Sequence, residues 1–336
     1  MRIFLILLNS LLASLNVACV SRGTIKSDEA ILLYDTSARL VGTNVIVPVH
    51  GHVFEPYDGL VRSKFLRWLF ENNVEELESL QESELFESRI SNFLVDNERG
   101  KRFKACLGNN CQMVGTSKAN GRFEKVLNIP LSEFVPSLVA THPKHRYSVR
   151  ANIDLVRDND LLIISDIDDT VKLTDVSDKT ELLKNTFSRP FSAIPGMAEK
   201  YQSWAKKGAK FIFVSSSPWQ LYNPLQQFFD ENNFPKRSMQ LKDFRLKDST
   251  LFNLFKGGDE TKPPVIEKIL RAFPFNPIVL VGDNGEEDPF VYQQISERYP
   301  HRVKAAFIRR AVANTDANEL PGIRYFDQAE ELPSEL

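Results

Sequence analysis

The feature that most constrains this sequence is an alternation that begins at residue 161. Apolar runs of strand length at 161–164, 210–214, 278–281 and 303–308 alternate with helical patterns near 196–207, 219–231, 262–272 and 289–298. Strands that alternate with helices predict a parallel sheet with helices on both faces, because parallel neighbours need long crossovers. Sheets of this class bind ligands outside the carboxyl ends of their strands. Polar clusters stand at those ends. Asp166-Ile167-Asp168-Asp169-Thr170 follows the first run, Ser215-Ser216-Ser217-Pro218-Trp219 the second, and Gly282-Asp283-Asn284-Gly285-Glu286-Glu287-Asp288 a third. Lys262 opens a helical stretch between the last two.

In an extended segment, side chains two apart share a face, so Asp166 and Asp168 can approach one site. Asp283 and Asp288 would join them from a neighbouring strand end. Clustered carboxylates without a His or Cys cluster suit a hard, oxygen-seeking cation, Mg²⁺ above all. Four of the five histidines lie before residue 146, so the pattern does not favour zinc. Carboxylates, a metal, a serine and a lysine together suit phosphoryl transfer, because the cations neutralise the moving group while the hydroxyl holds an oxygen. One aspartate can attack phosphorus, and another can protonate the leaving oxygen and then activate water. Read blandly, Asp169 is a turn acid, Lys262 a solvated helix-start residue, and Trp219 and Tyr222 packing residues.

The order Asp-x-Asp-x-Thr, Ser after a strand, Lys, then Gly-Asp-x-x-x-x-Asp resembles the haloacid dehalogenase superfamily of phosphatases. Longer strings resemble the catalytic domain of the actin-patch-associated phosphatidate phosphatases over about residues 140–315. These are Ser165-Asp166-Ile167-Asp168-Asp169-Thr170-Val171-Lys172, Asn185-Thr186-Phe187, Val214-Ser215-Ser216-Ser217-Pro218-Trp219-Gln220-Leu221-Tyr222 and Val281-Gly282-Asp283-Asn284-Gly285-Glu286-Glu287-Asp288-Pro289. The resemblance implies Asp166 as nucleophile and Asp168 as general acid/base. It implies Ser215 and Lys262 as phosphate holders, with Ser216 and Ser217 as alternatives to Ser215. Mg²⁺ would be held by Asp166, the main-chain carbonyl of Asp168, Asp283 and, directly or through water, Asp288. The residues between Thr170 and Ser215, and between Trp219 and Lys262, are too few for a full cap domain. An open site suits a bulky, interface-bound substrate, and phosphatidate fits. Other phosphorylated lipids, soluble phosphoesters, or a non-catalytic envelope lipoprotein remain the alternatives.

The chain start carries one positive charge, Arg2, then an apolar stretch broken by Asn9, Ser10, Ser14 and Asn16. That is a secretory-signal pattern over residues 1–19, short of the roughly 20 apolar residues of a membrane span. Leu15-Asn16-Val17-Ala18-Cys19 resembles a bacterial lipobox, although Asn16 stands where Leu is preferred. Two outcomes stay open: an ordinary cleaved signal, or a lipid anchor at Cys19. Either implies export to a bacterial cell envelope, as a periplasmic protein or a membrane-anchored lipoprotein. Cys106 and Cys111 flank a Gly-Asn-Asn turn, so they pair in an oxidising compartment or remain two free thiols.

The 336 residues, 42% of them hydrophobic, are enough for about two domains. Residues 24–150 predict a small β-rich domain with a helical insertion near 58–95, and residues 151–330 the α/β catalytic domain. Only three cysteines occur, which excludes a disulfide-rich scaffold, and a net charge of −2 gives no pull toward nucleic acid. Between Lys101 and Arg150 nine bases meet two acids, a bias that suits an anionic membrane surface or simply a solvated face.

Overall fold

The computed structural model describes residues 23–56, 84–145, 147–244, 258–312 and 319–336. Residues 1–22 with Cys19, residues 57–83 of the expected helical insertion, and residues 245–257 lie outside them. Among the described residues no helix is long and apolar enough to cross a membrane. The chain divides into two compact units: residues up to 57 with 95–153, and 58–94 with 154–336.

The first unit is antiparallel. Its strands are β1 (Ala30–Leu33), β2 (Thr36–Val41), β3 (Asn44–Glu55), β4 (Asp96–Asn97), β5 (Phe103–Leu107), β6 (Asn110–Val114), β7 (Arg122–Pro130), β8 (Ser137–Thr141) and β9 (Ser148–Val156). Strand β3 shows the period of two that one buried face requires: Val45, Val47, Val49, Gly51 and Val53 are buried, and the residues between them are half-buried. Gly51 is small because a Cβ there would meet the carbonyl oxygen of Leu32 at 2.1 Å. The β5–β6 turn uses Gly108 at φ 54°, which brings Cys106 opposite Cys111, and the two are disulfide-bonded. A buried ion cluster joins Lys101 to Glu29 and to Glu98 at 3.1 Å, and Lys26 faces Glu29 at 3.3 Å.

The second unit holds β10 (Leu162–Ser165), β11 (Lys210–Pro218), β12 (Arg237–Lys242), β13 (Ile278–Asp283), β14 (Val303–Arg309) and β15 (Arg324–Phe326). All six are parallel, in the order β12-β11-β10-β13-β14-β15. Leu162, Ile163 and Ile164 of the central β10 are fully buried, as expected of a strand covered on both faces. On one face Leu162, Ile164, Ile212, Ile266, Leu270, Leu280, Tyr292 and Ile308 form a single core. On the other, Phe211 packs on Tyr201 (5.2 Å between ring centres) and Phe213 on Phe229 (4.5 Å).

The helices of this unit are α1 (Glu84–Ser91), α2 (Lys179–Leu183), α3 (Met197–Lys206), α4 (Tyr222–Glu231), α5 (Gly258–Ala272) and α6 (Asp288–Arg298). Helix α3 buries Met197, Ala198, Tyr201 and Trp204, the spacing of one apolar stripe. Helix α6 begins with Asp288 and Pro289, an acid and a proline in the turn where free N–H groups favour both. Helix α5 starts one turn before Lys262, so that lysine lies inside the helix rather than at its opening. The described part of the expected insertion, from Glu84 on, groups with the α/β unit. Phe86 of α1 meets Phe187 at 6.3 Å, and Phe93 meets Phe187 at 5.8 Å and Phe244 at 6.3 Å.

Candidate active site

The carboxyl edge of the parallel sheet collects all six residues singled out in the sequence. Asp166 follows the last residue of β10, and Asp283 ends the adjacent β13. Gly282 precedes Asp283 because a Cβ there would lie 2.3 Å from Oδ2 of Asp288. Its bare backbone lets the start of α6 fold back onto the strand. Asp166, Asp283 and Asp288 are buried, with carboxylate oxygens all within 4.8 Å of one another. Lys262 points into the group. Its Nζ lies 3.0 Å from Asp166 Oδ1, 2.6 Å from Asp288 Oδ1 and 2.9 Å from Glu286 Oε2. The hydroxyl of Thr170 donates to Asp283 Oδ2 at 3.2 Å.

One ammonium cannot balance so many acids in a dry site. Burial pushes the Asp166 carboxyl well above its ordinary range, Lys262 pulls it back, and Asp288, Asp283 and Glu286 push it further up. Asp283 moves the same way, through burial and then the Asp288 charge. Burial likewise raises Glu286. Asp288 Oδ2 is buried and accepts no hydrogen bond among the described residues. Crowded oxygens, strained ionisation and an orphaned acceptor are the marks of a site fitted to a cation, and an all-carboxylate donor set suits Mg²⁺.

Asp168 faces a different environment. Its Oδ1 meets Lys172 Nζ at 2.8 Å and accepts from Thr174 Oγ1 at 2.7 Å. Its Oδ2 accepts from Ser215 Oγ at 3.0 Å and Ser217 Oγ at 2.8 Å. Burial disfavours the charge, but Lys172 and the hydroxyl donors outweigh it and hold the pKa at about 2. Two aspartates two residues apart are thus driven in opposite directions by their neighbours. Asp169 organises the loop. It adopts φ 53° and accepts from the backbone N–H groups of Thr174, Asp175 and Val176. Its bland reading as a turn acid fits these bonds. Ser215 and Ser217 reach Asp168 because the β11–β12 register shifts between Val214 and Pro218, which frees the serines from the ladder. Trp219 and Tyr222 are buried, with ring centres 6.0 Å apart.

Two contributors, Glu286 and Lys172, were not singled out from sequence, and Ser217, expected as an alternative phosphate holder, instead donates to Asp168. Glu286 sits within a quoted motif string, but only the fold shows that it reaches Lys262 and lies 3.4 Å from the Ser216 hydroxyl. Lys172 was visible as a motif member and Ser217 as a candidate phosphate holder, yet nothing local told that both would grip Asp168.

Residues 161–310 match the family model described as phosphatidate phosphatase APP1, catalytic domain. That stretch belongs to the APP1 catalytic-domain family. An uncharacterized protein of Schizosaccharomyces pombe is 32% identical over 178 residues, covering 49% of this chain and 29% of that protein. Phosphatidate phosphatase APP1 of Saccharomyces cerevisiae is 31% identical over 151 residues, covering 44% of this chain and 25% of that protein. The chain therefore spans under a third of the length of these relatives. Among solved structures, D,D-heptose 1,7-bisphosphate phosphatase from Burkholderia thailandensis aligns at 10% identity with a TM-score of 0.29, covering 50% of this chain and 93% of that one. In this APP1-type catalytic domain, all of the clustered carboxylates and Lys262 fall inside the matched residues.

Proposed function

We propose that the protein is a Mg²⁺-dependent phosphatidate phosphatase of the haloacid dehalogenase type. The observation that carries this reading is the buried triad Asp166, Asp283 and Asp288 with Lys262 Nζ 3.0 Å from Asp166. An attacking carboxylate is useful only if its charge is shielded from the phosphoryl group it approaches, and a cation beside Lys262 supplies that. Asp166, Asp283, Asp288 and the carbonyl of Asp168 would hold the ion, which when bound offsets the negative charge of the phosphoryl oxygens.

Asp166 attacks phosphorus. A P–O bond to the carboxylate forms, the P–O bond to the alcohol breaks, and the departing oxygen takes a proton from Asp168. Asp168 then takes a proton from water as the water oxygen attacks phosphorus, freeing inorganic phosphate and restoring Asp166. The four donors around Asp168 favour its carboxylate, the form needed for the second step; in the first, Asp168 passes to the leaving oxygen the proton that the phosphomonoester monoanion brings. Lys262 and Ser215 hold phosphoryl oxygens through both.

The named relative in Saccharomyces cerevisiae supports phosphatidate as the substrate. The secretory-signal pattern at the start of the chain and the Cys106–Cys111 disulfide support an oxidising, extracytoplasmic setting in a bacterial envelope, where a lipid at Cys19 would hold the enzyme near its substrate. The deciding assay compares phosphate release from phosphatidate–detergent micelles with release from sugar phosphates and nucleotides, with Mg²⁺ and with chelator. Faster, chelator-sensitive turnover of phosphatidate is expected. Equal or faster turnover of the soluble esters would defeat the lipid assignment.

A further inference from the structure

Arg89 of helix α1 is 6% exposed and has no carboxylate partner among the described residues. A buried guanidinium without a counter-ion is costly, so its contacts need a reason. Those among the described residues lead toward the site. One nitrogen, Nη1, donates to the carbonyls of Thr186 at 2.7 Å and Arg189 at 2.8 Å. These sit in the middle of the π-helical turn Lys184–Ser188 and just beyond it. The guanidinium carbon lies 3.7 Å from the centre of the Phe191 ring. Lys172 Nζ lies 4.8 Å from the centre of the same ring and 2.8 Å from Asp168 Oδ1. Both cations are within range of the ring's attraction.

The backbone repeats the connection. Leu173 N–H donates to the carbonyl of Ser192 at 2.8 Å and Ile194 N–H to that of Val171 at 2.9 Å, with a bridge between Lys172 and Ala193. The segment that Arg89 pins is thus the pairing partner of the loop that carries Lys172.

We propose that Arg89 is a positioning residue for the reaction: through Phe191 and the paired segments it fixes Lys172, and through Lys172 the carboxylate of Asp168. The claim rests on the phosphatase reading above. It makes a helix far upstream of the catalytic motifs part of the working site. A general acid/base misplaced by a fraction of an ångström loses rate rather than affinity, because it acts on the transition state.

The experiment uses the full chain with Arg89→Met, Phe191→Leu, Phe191→Tyr and the double variant Arg89→Met/Phe191→Leu. The readouts are Mg²⁺-dependent hydrolysis of p-nitrophenyl phosphate, the thermal midpoint, and hydrogen exchange at amides 172–176. Arg89→Met leaves the carbonyls of Thr186 and Arg189 without their donor, so its midpoint is expected to fall, and kcat is read well below that midpoint so that a loss of rate is not a loss of fold. The expected result is a kcat ~10- to 100-fold lower for Arg89→Met and for Phe191→Leu, with KM within about twofold. Phe191→Tyr, which keeps the ring, should restore most of the rate. The double variant should be no worse than the weaker single one, as for two members of one path. A kcat unchanged in Arg89→Met, or losses that multiply in the double variant, would overturn the proposal. If the wild-type protein hydrolyses no phosphoester, the phosphatase reading falls, and exchange alone decides the positioning claim. Exchange at 172–176 at least about tenfold faster in both Arg89→Met and Phe191→Leu supports it, and unchanged exchange overturns it.

Discussion

Each unit of this molecule buries a cluster of charges around a lysine, and the two clusters differ in their balance. In the β unit, buried Lys101 faces Glu29 and Glu98, and Lys26, exposed at the rim, also faces Glu29, two cations for two anions. Burial pushes Glu29 up, but its bonds to Lys101 and to the Lys26 backbone bring its pKa below the ordinary value. The cluster is self-sufficient and acts as a clasp. In the α/β unit, Lys262 is the one ammonium among the described residues in ion-pair contact with Asp166, Glu286 and Asp288, with Asp283 beside them, and both Asp166 and Asp283 are driven upward. Among the described residues that cluster holds more acids than cations. A neutral buried cluster marks structure, whereas an unbalanced one marks a place kept ready for a ligand.

Removing each lysine should sharpen the contrast most. Lys262→Met leaves Asp166 and Asp288 without the ammonium that pairs with them and is expected to destabilise that unit by about 3–5 kcal/mol in chelator. Added Mg²⁺ should recover much of the loss. Lys101→Met should cost less, since Lys26 still faces Glu29, and Mg²⁺ should recover none of it. Hydrogen exchange resolved by segment reads both, and equal Mg²⁺ rescue in the two variants would break the comparison.

Reduction of the Cys106–Cys111 bond comes next. It closes a loop of only six residues, so its loss should destabilise the β unit by about 2 kcal/mol. Phosphate release should not change. A matching loss of activity would show that the two units are not independent in this respect.

The smallest effect is expected from His52. Burial lowers its pKa to about 4, against a weaker raising effect from the hydrogen bond with Asn97. The unfolded chain then binds a proton near pH 6.5 that the folded unit refuses, so stability contributed by neutral His52 is full above that pH and declines as pH falls toward 4. A titration of the His52 ring by NMR should show a midpoint near 4. A midpoint near 6.5 would remove His52 from the acid response of the β unit.

Most of the site was legible in sequence because it is local. Strand, turn and polar cluster follow one another within a few residues, as at 162–170 and 278–288, and the alternation of elements places those clusters on one edge. The edge strands were not legible. Arg237-Ser238-Met239-Gln240-Leu241-Lys242 is too polar to read as a strand, and Arg324-Tyr325-Phe326 too short, both features of sheet edges that must not attract a stranger. Lys172 and Ser217 stand in recognised strings, but their grip on Asp168 depends on a positive-φ turn at Asp169 and a register shift in β11. Arg89 was least legible of all. Its hydrogen bonds span 97 and 100 residues, and an acidic helix with one arginine predicts nothing about where that arginine goes.

The central claim is that Asp166 carries the phosphoryl group between the two steps. The direct measurement is rapid acid quench of the enzyme during turnover of phosphatidate micelles with Mg²⁺, followed by peptide mass mapping. One added phosphoryl group on the peptide that contains Asp166, absent in Asp166→Asn, is the expected result. Turnover with no phosphorylated peptide at any quench time, or with the group on another residue, would contradict it.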